Sequence, residues 1–153
     1  MSEGADDSRR PSRPGAVLFM CGQNVIRSPM AEAIARQALP SGTWVASAGV
    51  KKGERDPFVD VVLDEIGLSL GRRQPQTLED MEDDYFDLVI TLTPEAHHAA
   101  LELTRSSAVE VEYWPMPDPT VETGSREQRL SAYRDVRDRL TKLIRDRLVL
   151  APD

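Results

Sequence analysis

Cysteine, histidine and aromatic residues are all scarce in this sequence of 153 residues. The one cysteine, Cys21, cannot form an internal disulfide, which excludes the small secreted domains that depend on disulfides. The two histidines, His97 and His98, are adjacent, and neighbouring side chains on a helix point about 100° apart. They cannot share a metal ion from such positions, so we expect neither zinc nor another metal.

Long apolar runs and dense basic stripes are also missing. No apolar segment approaches the roughly 18 residues that a membrane-spanning helix needs, and the N-terminus lacks the apolar core of a signal peptide. The net charge is −7, which makes the chain a poor partner for nucleic-acid phosphates. We therefore expect a soluble, cytoplasmic protein that binds neither membrane nor nucleic acid, and that acts as a monomer or weak homodimer.

The sequence divides into a polar start and one domain. Residues 1–14 are rich in Ser, Arg, Asp and Pro and have almost nothing to bury, which predicts a flexible tail. Residues 15–150 are long enough for a single domain with its own core, and they contain no internal repeat.

Within this domain, apolar strand patterns alternate with amphipathic helix patterns. Strands are predicted at 16–20, 43–49, 86–92 and 109–114, and helices at 28–39, from 56 to about 67, at 77–80, from 93 and at 125–148. Strands separated by helices favour a parallel sheet with right-handed crossovers. The predicted fold class is α/β, with three layers: a central four-stranded parallel sheet flanked by helices. Ligands of such folds bind beyond the carboxyl ends of the strands.

Cys21 lies at the carboxyl end of the first predicted strand, and five residues separate it from Arg27 at the start of a helix. A short loop entering a helix turns backbone N–H groups inward, and the helix start adds partial positive charge. This loop is long enough to curl around an anion the size of phosphate, with the planar fork of Arg27 on two of its oxygens. The same field favours the thiolate of Cys21, and the Ser28 hydroxyl is placed to donate to it.

Two interpretations of this pattern compete. A lone cysteine after an apolar strand is usually an inert core residue, and an arginine alone is a weak signal. The combined order of strand, cysteine, five residues, Arg-Ser and helix favours a thiolate nucleophile beneath a bound tetrahedral anion. We therefore predict a phosphate-binding loop after the first strand, suited to covalent phosphoryl transfer.

The sequence C-x5-R-S followed by PMAE resembles the low-molecular-weight protein tyrosine phosphatases, and the resemblance extends over residues 16–148. It includes the SAG turn at 47–49, the FDLVITL strand and an Asp-Pro pair, Asp118-Pro119, before the last helix. The resemblance implies a phosphatase that hydrolyses phosphotyrosine or other aryl phosphate monoesters through a phosphocysteine intermediate, without a cofactor. Its partner would be a phosphorylated protein substrate.

The resemblance also implies roles for individual residues. The catalytic residues would be Cys21 as nucleophile, Arg27 as phosphate ligand, and Asp118 as the acid that protonates the leaving group and then activates water. Ser47 would support the loop. The remaining loop residues would bind the substrate: Gly22, Gln23, Asn24, Val25, Ile26 and Ser28.

Four positions depart from the family pattern. Gln23 replaces a glycine, so a positive φ at this position would strain the loop. Ile26 replaces a second cysteine, which leaves an oxidised Cys21 without an internal resolving partner. Arg72 stands where many relatives have a histidine that braces the loop asparagine. Thr120 occupies the place of an aromatic residue that relatives have after the Asp-Pro pair.

Three basic residues follow the second strand where an aromatic wall is common: Lys51, Lys52 and Arg55. One interpretation is that they are ordinary solvated surface charges. If instead they line the rim of the pocket, they would favour an acidic or multiply phosphorylated substrate.

Two other functions remain open. Arsenate resembles phosphate, and related arsenate reductases share this fold and loop; a relay through three internal cysteines is excluded here, whereas reduction with a small external thiol is not. The second alternative is a non-catalytic module that binds phosphoproteins, which the change at Gln23 and the missing aromatic residues favour. Cys21 and Asp118 argue against it, since binding alone needs neither a nucleophile nor an acid.

Overall fold

The computed structural model describes residues 13–81, 85–105 and 108–151. Almost all of the predicted tail, residues 1–12, lies outside the described residues. Four strands form one sheet: β1 Ala16–Cys21, β2 Trp44–Gly49, β3 Leu88–Thr91 and β4 Glu110–Tyr113. The strand order is β2-β1-β3-β4 and every neighbouring pair is parallel. The prediction of a four-stranded parallel sheet is confirmed.

The helices also follow the sequence pattern. They are α1 Arg27–Ala38, α2 Pro57–Asp64, α3 Pro94–Leu103 and α4 Arg126–Ile144, with short 3₁₀ turns at Leu78–Asp80 and Pro119–Val121 and a π-helical turn at Arg145–Val149. The side chains of Asp56, Thr93 and Ser125 each accept a hydrogen bond from a backbone N–H in the first turn that follows. These caps confirm the predicted starts of α2, α3 and α4.

Both faces of the sheet are covered, which explains why β1 is a continuous apolar run. Alternate residues of β1 face opposite sides: Val17 and Phe19 pack in a core with α1, α2 and α4. Leu18 and Met20 pack in a second core on the other face, where α3 contributes Ala96 and Ala100. With helices packed on each face, the sheet is the middle of the three predicted layers.

The carboxyl ends of the strands meet at one edge of the sheet. In the strand register Cys21 lies opposite Gly49 of β2, and Met20 lies opposite Thr91 of β3. The loops that leave β1, β2 and β3 therefore converge around Cys21, as expected for a ligand site in a parallel α/β fold.

Arg13, next to the start of the fold, contacts its far end. Its guanidinium donates hydrogen bonds to the carbonyl oxygens of Leu148 and Val149, at 3.2 and 2.7 Å, and also contacts that of Ala151. The first two carbonyls belong to the π-helical turn after α4, so Arg13 ties the segment just before β1 to the end of the described chain.

No helix within the described parts of the chain is long and apolar enough to cross a bilayer. Within residues 13–81, 85–105 and 108–151 there is also no group of three or more His, Cys, Asp or Glu side chains placed to hold a metal ion.

Candidate active site

The loop of residues 22–26 connects β1 to α1 and passes closely over the end of β2. A Cβ atom on Gly49 would lie 2.7 Å from the backbone nitrogen of Asn24, so only glycine leaves room for the loop there. This close approach explains the glycine of the SAG turn. The first turn of α1, beginning at Arg27, contains no acidic residue, so the field of the helix start is not cancelled locally.

The chain after β2 runs alongside the loop and fixes its outer edge. Backbone N–H groups of Lys51 and Gly53 donate to the carbonyl oxygens of Gly22 and Gln23, at 2.9 and 3.1 Å. Because the carbonyl oxygens of Gly22 and Gln23 bond to the segment after β2, these peptide groups of the loop are held in one orientation.

Asn24 holds the loop from below. It is fully buried and has a φ of 58°, in the left-handed region that asparagine tolerates better than most residues. Its Nδ2 donates to the hydroxyls of Ser28 and Ser47, at 2.9 and 3.0 Å, and its Oδ1 accepts from the N–H of Gln76 and from Arg73, each at 2.9 Å. The hydrogen-bonding capacity of this amide is fully used within the protein.

The strain expected at Gln23 is not found. Among the described residues, Asn24 is the one non-glycine residue with a positive φ, so Gln23 lies in a region that any residue adopts. The positive φ belongs to Asn24, which matches the family pattern. Replacing glycine with Gln23 therefore does not distort the loop.

The residue that braces Asn24 is Arg73, the neighbour of Arg72, whose position the family resemblance matched to a bracing histidine. Arg73 Nη2 also donates to Ser47 Oγ at 3.0 Å, and its Nε lies 3.4 Å from a carboxylate oxygen of the buried Glu32. Burial lowers the pKa of Arg73, and the charge of Glu32 opposes this shift. Arg72 is exposed and makes no hydrogen bond or ion pair with the described residues.

Ser47 connects Asn24 and Arg73 to Glu32 of α1. Its hydroxyl donates to Glu32 Oε1 at 2.5 Å while accepting from Asn24 and Arg73. Glu32 is also paired with Arg36, at 3.0 Å. The predicted support residue, Ser47, thus lies directly beneath the loop, between α1 and the segment after α2.

Cys21 is buried, and its Sγ lies 2.9 Å from the hydroxyl oxygen of Ser28. Ser28 Oγ already accepts a hydrogen bond from the amide nitrogen of Asn24, which can only donate. The hydroxyl hydrogen of Ser28 is therefore available to point at the sulfur, an arrangement that stabilises a thiolate.

A cavity of about 590 Å³ opens above the loop. It brings together the three predicted catalytic residues and four of the predicted binding residues. Six further residues come from the segment before α2 and its first residue, from the start of α3 and from the turn Pro119–Val121. Its lining consists of Cys21, Gly22, Gln23, Val25, Ile26, Arg27, Glu54, Arg55, Asp56, Pro57, Glu95, Asp118 and Thr120. The side chains of Asn24 and Ser28 do not line it; they lie under the loop and position it.

Asp118 faces this cavity from the turn before Pro119–Val121. Its Oδ1 accepts hydrogen bonds from the N–H and the hydroxyl of Thr120, at 3.0 and 2.7 Å. Partial burial raises the pKa of Asp118, but the hydrogen bonds from Thr120 and the charge of Arg27 outweigh it, so the pKa lies below its usual range. Thr120, where relatives carry an aromatic residue, thus orients the candidate acid.

Arg27 is held towards the same turn. Its Nη1 donates to the carbonyl oxygen of Met116 at 3.2 Å, which leaves the other guanidinium N–H groups for a ligand in the cavity. The arrangement provides a buried sulfur nucleophile, a bidentate anion ligand and a carboxyl group within one pocket. It can carry out nucleophilic attack on a bound oxyanion and proton transfer to its leaving group.

The three basic residues after β2 do not form a basic rim around the cavity. Lys51 and Lys52 do not line the cavity, and Lys52 lies 3.3 Å from Asp80 instead. Arg55 does line it, but its guanidinium is paired with Asp60 at 2.7 Å. The condition for a preference for acidic substrates is therefore not met, because both lysines are exposed outside the cavity and Arg55 is already paired.

Sequence reasoning missed two carboxylates at the mouth of the cavity, Glu54 and Glu95. The signal that could have identified Glu95 is its place in the first turn of the helix that follows β3, near the carboxyl ends of the strands, where ligands of parallel sheets bind.

The family model for the low molecular weight phosphotyrosine protein phosphatases matches residues 16–149 of the chain. The chain is 30% identical over 129 residues to an arsenate reductase of Halalkalibacterium halodurans, covering 84% of this chain and 91% of that protein.

Solved structures show the same fold. A superposition on an arginine phosphatase from Geobacillus stearothermophilus has a TM-score of 0.72 at 26% identity and covers 89% of this chain and 91% of that one. A tyrosine phosphatase of Erwinia amylovora matches with a TM-score of 0.67 at 22% identity, over 84% and 87% of the two chains.

Proposed function

We propose that this chain, which belongs to the low molecular weight phosphotyrosine protein phosphatase family, hydrolyses phosphotyrosine or other aryl phosphate monoesters through a phosphocysteine intermediate. The observation that carries the proposal is the meeting of Cys21, Arg27 and Asp118 in one cavity. Hydrolysis of an ester with a poor leaving group needs a nucleophile, an anion ligand and an acid, and this cavity has all three.

In the first step, the Cys21 thiolate attacks phosphorus in line, and an S–P bond forms as the bond to the leaving oxygen breaks. The guanidinium of Arg27 and the N–H groups of the loop hold the other phosphate oxygens as charge develops on them. Asp118 gives its proton to the leaving oxygen. Since a bound phosphate places negative charge beside Asp118, it raises the pKa of this carboxyl group and favours the protonated form that the step requires.

In the second step, the ionised Asp118 takes a proton from water, whose oxygen attacks phosphorus. The S–P bond breaks, and the hydroxyl of Ser28, 2.9 Å from the sulfur, stabilises the departing thiolate. Phosphate leaves, and the proton held by Asp118 is available for the next turnover.

A second candidate is arsenate reduction, which the 30% identity to an arsenate reductase supports. Cys21 would attack arsenate with loss of water; a small external thiol would then attack the Cys21 sulfur, giving arsenite and a mixed disulfide as two electrons pass to arsenic. A second external thiol would free Cys21. The chain has one cysteine, so both external thiols are required.

The test is hydrolysis of para-nitrophenyl phosphate, with reductant and chelator present, by the wild type and by Cys21→Ser and Asp118→Asn. Glu110→Gln is the matched surface control, because Glu110 is exposed at the start of β4, at the opposite edge of the sheet. We expect vanadate-sensitive turnover by the wild type and by Glu110→Gln, and none by Cys21→Ser. Arsenate with a small thiol is assayed in parallel on the same four proteins.

Substantial turnover by folded Cys21→Ser would refute the phosphocysteine mechanism. Thiol-dependent arsenite formation without release of nitrophenol would favour the second candidate. A folded wild type that binds a phosphopeptide and turns over neither substrate would mean that the cavity is a binding site only.

A further inference from the structure

Some charged side chains in the cavity lining already bond to other residues of the protein, and we call these engaged; the others do not. Arg55 is engaged, since it pairs with Asp60 and donates to the carbonyl oxygen of Gly71 at 2.7 Å. Asp56 is engaged as well: its Oδ1 caps the N–H of Phe58, and its Oδ2 accepts from Tyr133 at 2.5 Å.

Arg27 and Asp118 have their roles in the proposed reaction. The two remaining charges are Glu54 and Glu95, and both are exposed. Neither makes a side-chain hydrogen bond or ion pair with any residue in the described parts of the chain.

These two carboxylates flank the loop from opposite sides. β1 lies between β2 and β3 in the sheet; Glu54 belongs to the segment after β2, and Glu95 to the first turn of α3 after β3. The backbone just before Glu54 is anchored, since the N–H of Gly53 donates to Gln23.

Glu95 overhangs the residue that follows the nucleophile. A Cβ atom on Gly22 would lie 2.8 Å from Glu95 Oε1, so any side chain at position 22 would push this carboxylate away. Gly22 therefore makes room for a negative charge at the edge of an anion site.

Unpaired carboxylates beside a bound dianion repel it and weaken its binding. The repulsion is offset if the substrate itself carries a positive charge next to its phosphoryl group. The net charge of −7 acts in the same direction, because it attracts cationic peptides and repels acidic ones. Among the described residues, the lining of the cavity itself includes no aromatic side chain, and Phe58 and Tyr133 line the adjoining pocket instead. The charges of Glu54 and Glu95 can therefore contribute to the choice of substrate.

We infer that Glu54 and Glu95 are specificity-determining residues that bind basic side chains flanking the phosphorylated residue of a peptide substrate. The inference rests on the proposed function for the presence of a phosphoryl group in the cavity. The long stems of lysine and arginine let their charges reach carboxylates on either side of the loop while the phosphoryl group lies above Cys21.

The experiment measures the binding of phosphopeptides to the Cys21→Ser variant, which lacks the nucleophile and so does not hydrolyse them. Two phosphotyrosine peptides of equal length are compared, one with arginine on both sides of the phosphorylated residue and one with glutamate. We expect the basic peptide to bind about three- to ten-fold more tightly, from two partly exposed ion pairs, with the difference shrinking at high salt. Glu54→Gln combined with Glu95→Gln should abolish the preference, and Glu110→Gln should keep it.

Equal affinities for the two peptides, or a preference that survives the double substitution, would overturn this inference. Turnover of the same peptides and of para-nitrophenyl phosphate by the protein with Cys21 intact tests the proposed function separately. A charge preference without any turnover would uphold the inference and refute the phosphatase assignment. Turnover without a charge preference would uphold the phosphatase assignment and overturn the inference.

Discussion

Replacing Arg73 with alanine tests whether the loop is held in shape from below. The guanidinium donates to Asn24 Oδ1 at 2.9 Å and to Ser47 Oγ at 3.0 Å, and it lies 3.4 Å from Glu32. Hydrogen bonds that involve a charged group contribute about 1.5–3 kcal/mol each. Glu32 keeps Arg36 as a partner, and the Arg73 side chain is 18% exposed, so water replaces part of what is lost.

We therefore expect Arg73→Ala to lower the free energy of unfolding by about 2–3 kcal/mol, measured by urea denaturation. We also expect kcat for para-nitrophenyl phosphate to fall at least about ten-fold, because a loop displaced by a fraction of an ångström misplaces the nucleophile. Arg73→Lys should fall between, since one ammonium nitrogen can replace the Nη2 donor to Asn24 and Ser47 but provides no second nitrogen beside Glu32.

The adjacent Arg72 provides a matched control. It is exposed and makes no hydrogen bond or ion pair with the described residues, so Arg72→Ala should change the free energy of unfolding by no more than about 0.5 kcal/mol. The reasoning is refuted if Arg73→Ala and Arg72→Ala have the same stability and the same kcat.

Three further predictions follow from the site and its surroundings. Asp118→Asn should slow turnover of phenyl phosphate far more than that of para-nitrophenyl phosphate, whose better leaving group needs less protonation; equal slowing would remove Asp118 from the acid role. Peroxide should inactivate the protein with Cys21 as the oxidised residue, and activity should return only with added thiol, since the chain has no second cysteine; recovery without thiol would contradict this. The hydrogen bond from Arg134, opposed by burial and helped by a bond from Arg137, lowers the pKa of Glu65 from 4.5 to about 2. A lowered pKa stabilises the fold above about pH 4.5 and loses that effect as the pH falls towards 2, so Glu65→Gln should flatten the dependence of unfolding on pH in this window.

Most of the fold could be predicted from the sequence because its signals are local. Continuous apolar runs mark strands covered on both faces, and Asp56-Pro57 and Thr93-Pro94 mark helix starts through caps that each act within one turn. The predicted strand ends differ from the observed ones by one or two residues; β3, for example, is Leu88–Thr91 within the predicted 86–92.

The candidate site was only partly predictable, because its remaining parts depend on contacts between distant segments. The segment after α2 contains both Arg72 and Arg73, and no local pattern indicates which of the two turns inward to Asn24. Likewise, Lys51 and Lys52 suggested a basic rim, whereas the hydrogen bond of Lys51 N–H to Gly22 fixes how that segment passes the loop. The two mouth carboxylates, Glu54 and Glu95, come together through strand order, which a reading of single segments does not reveal.

The buried amide of Asn24 has a consequence for how such a sequence can change over generations. Its partners come from three separate stretches of chain: Ser28 in α1, Ser47 in β2, and Arg73 with the backbone N–H of Gln76 in the segment after α2. Substituting Ser28 or Ser47 with an apolar residue leaves an N–H of the buried amide without its partner, at a cost of about 1–3 kcal/mol, and substituting Arg73 removes one of the two donors to Oδ1. Among descendants of this sequence, these positions should therefore vary together, in compensating pairs, while the exposed neighbour Arg72 drifts freely.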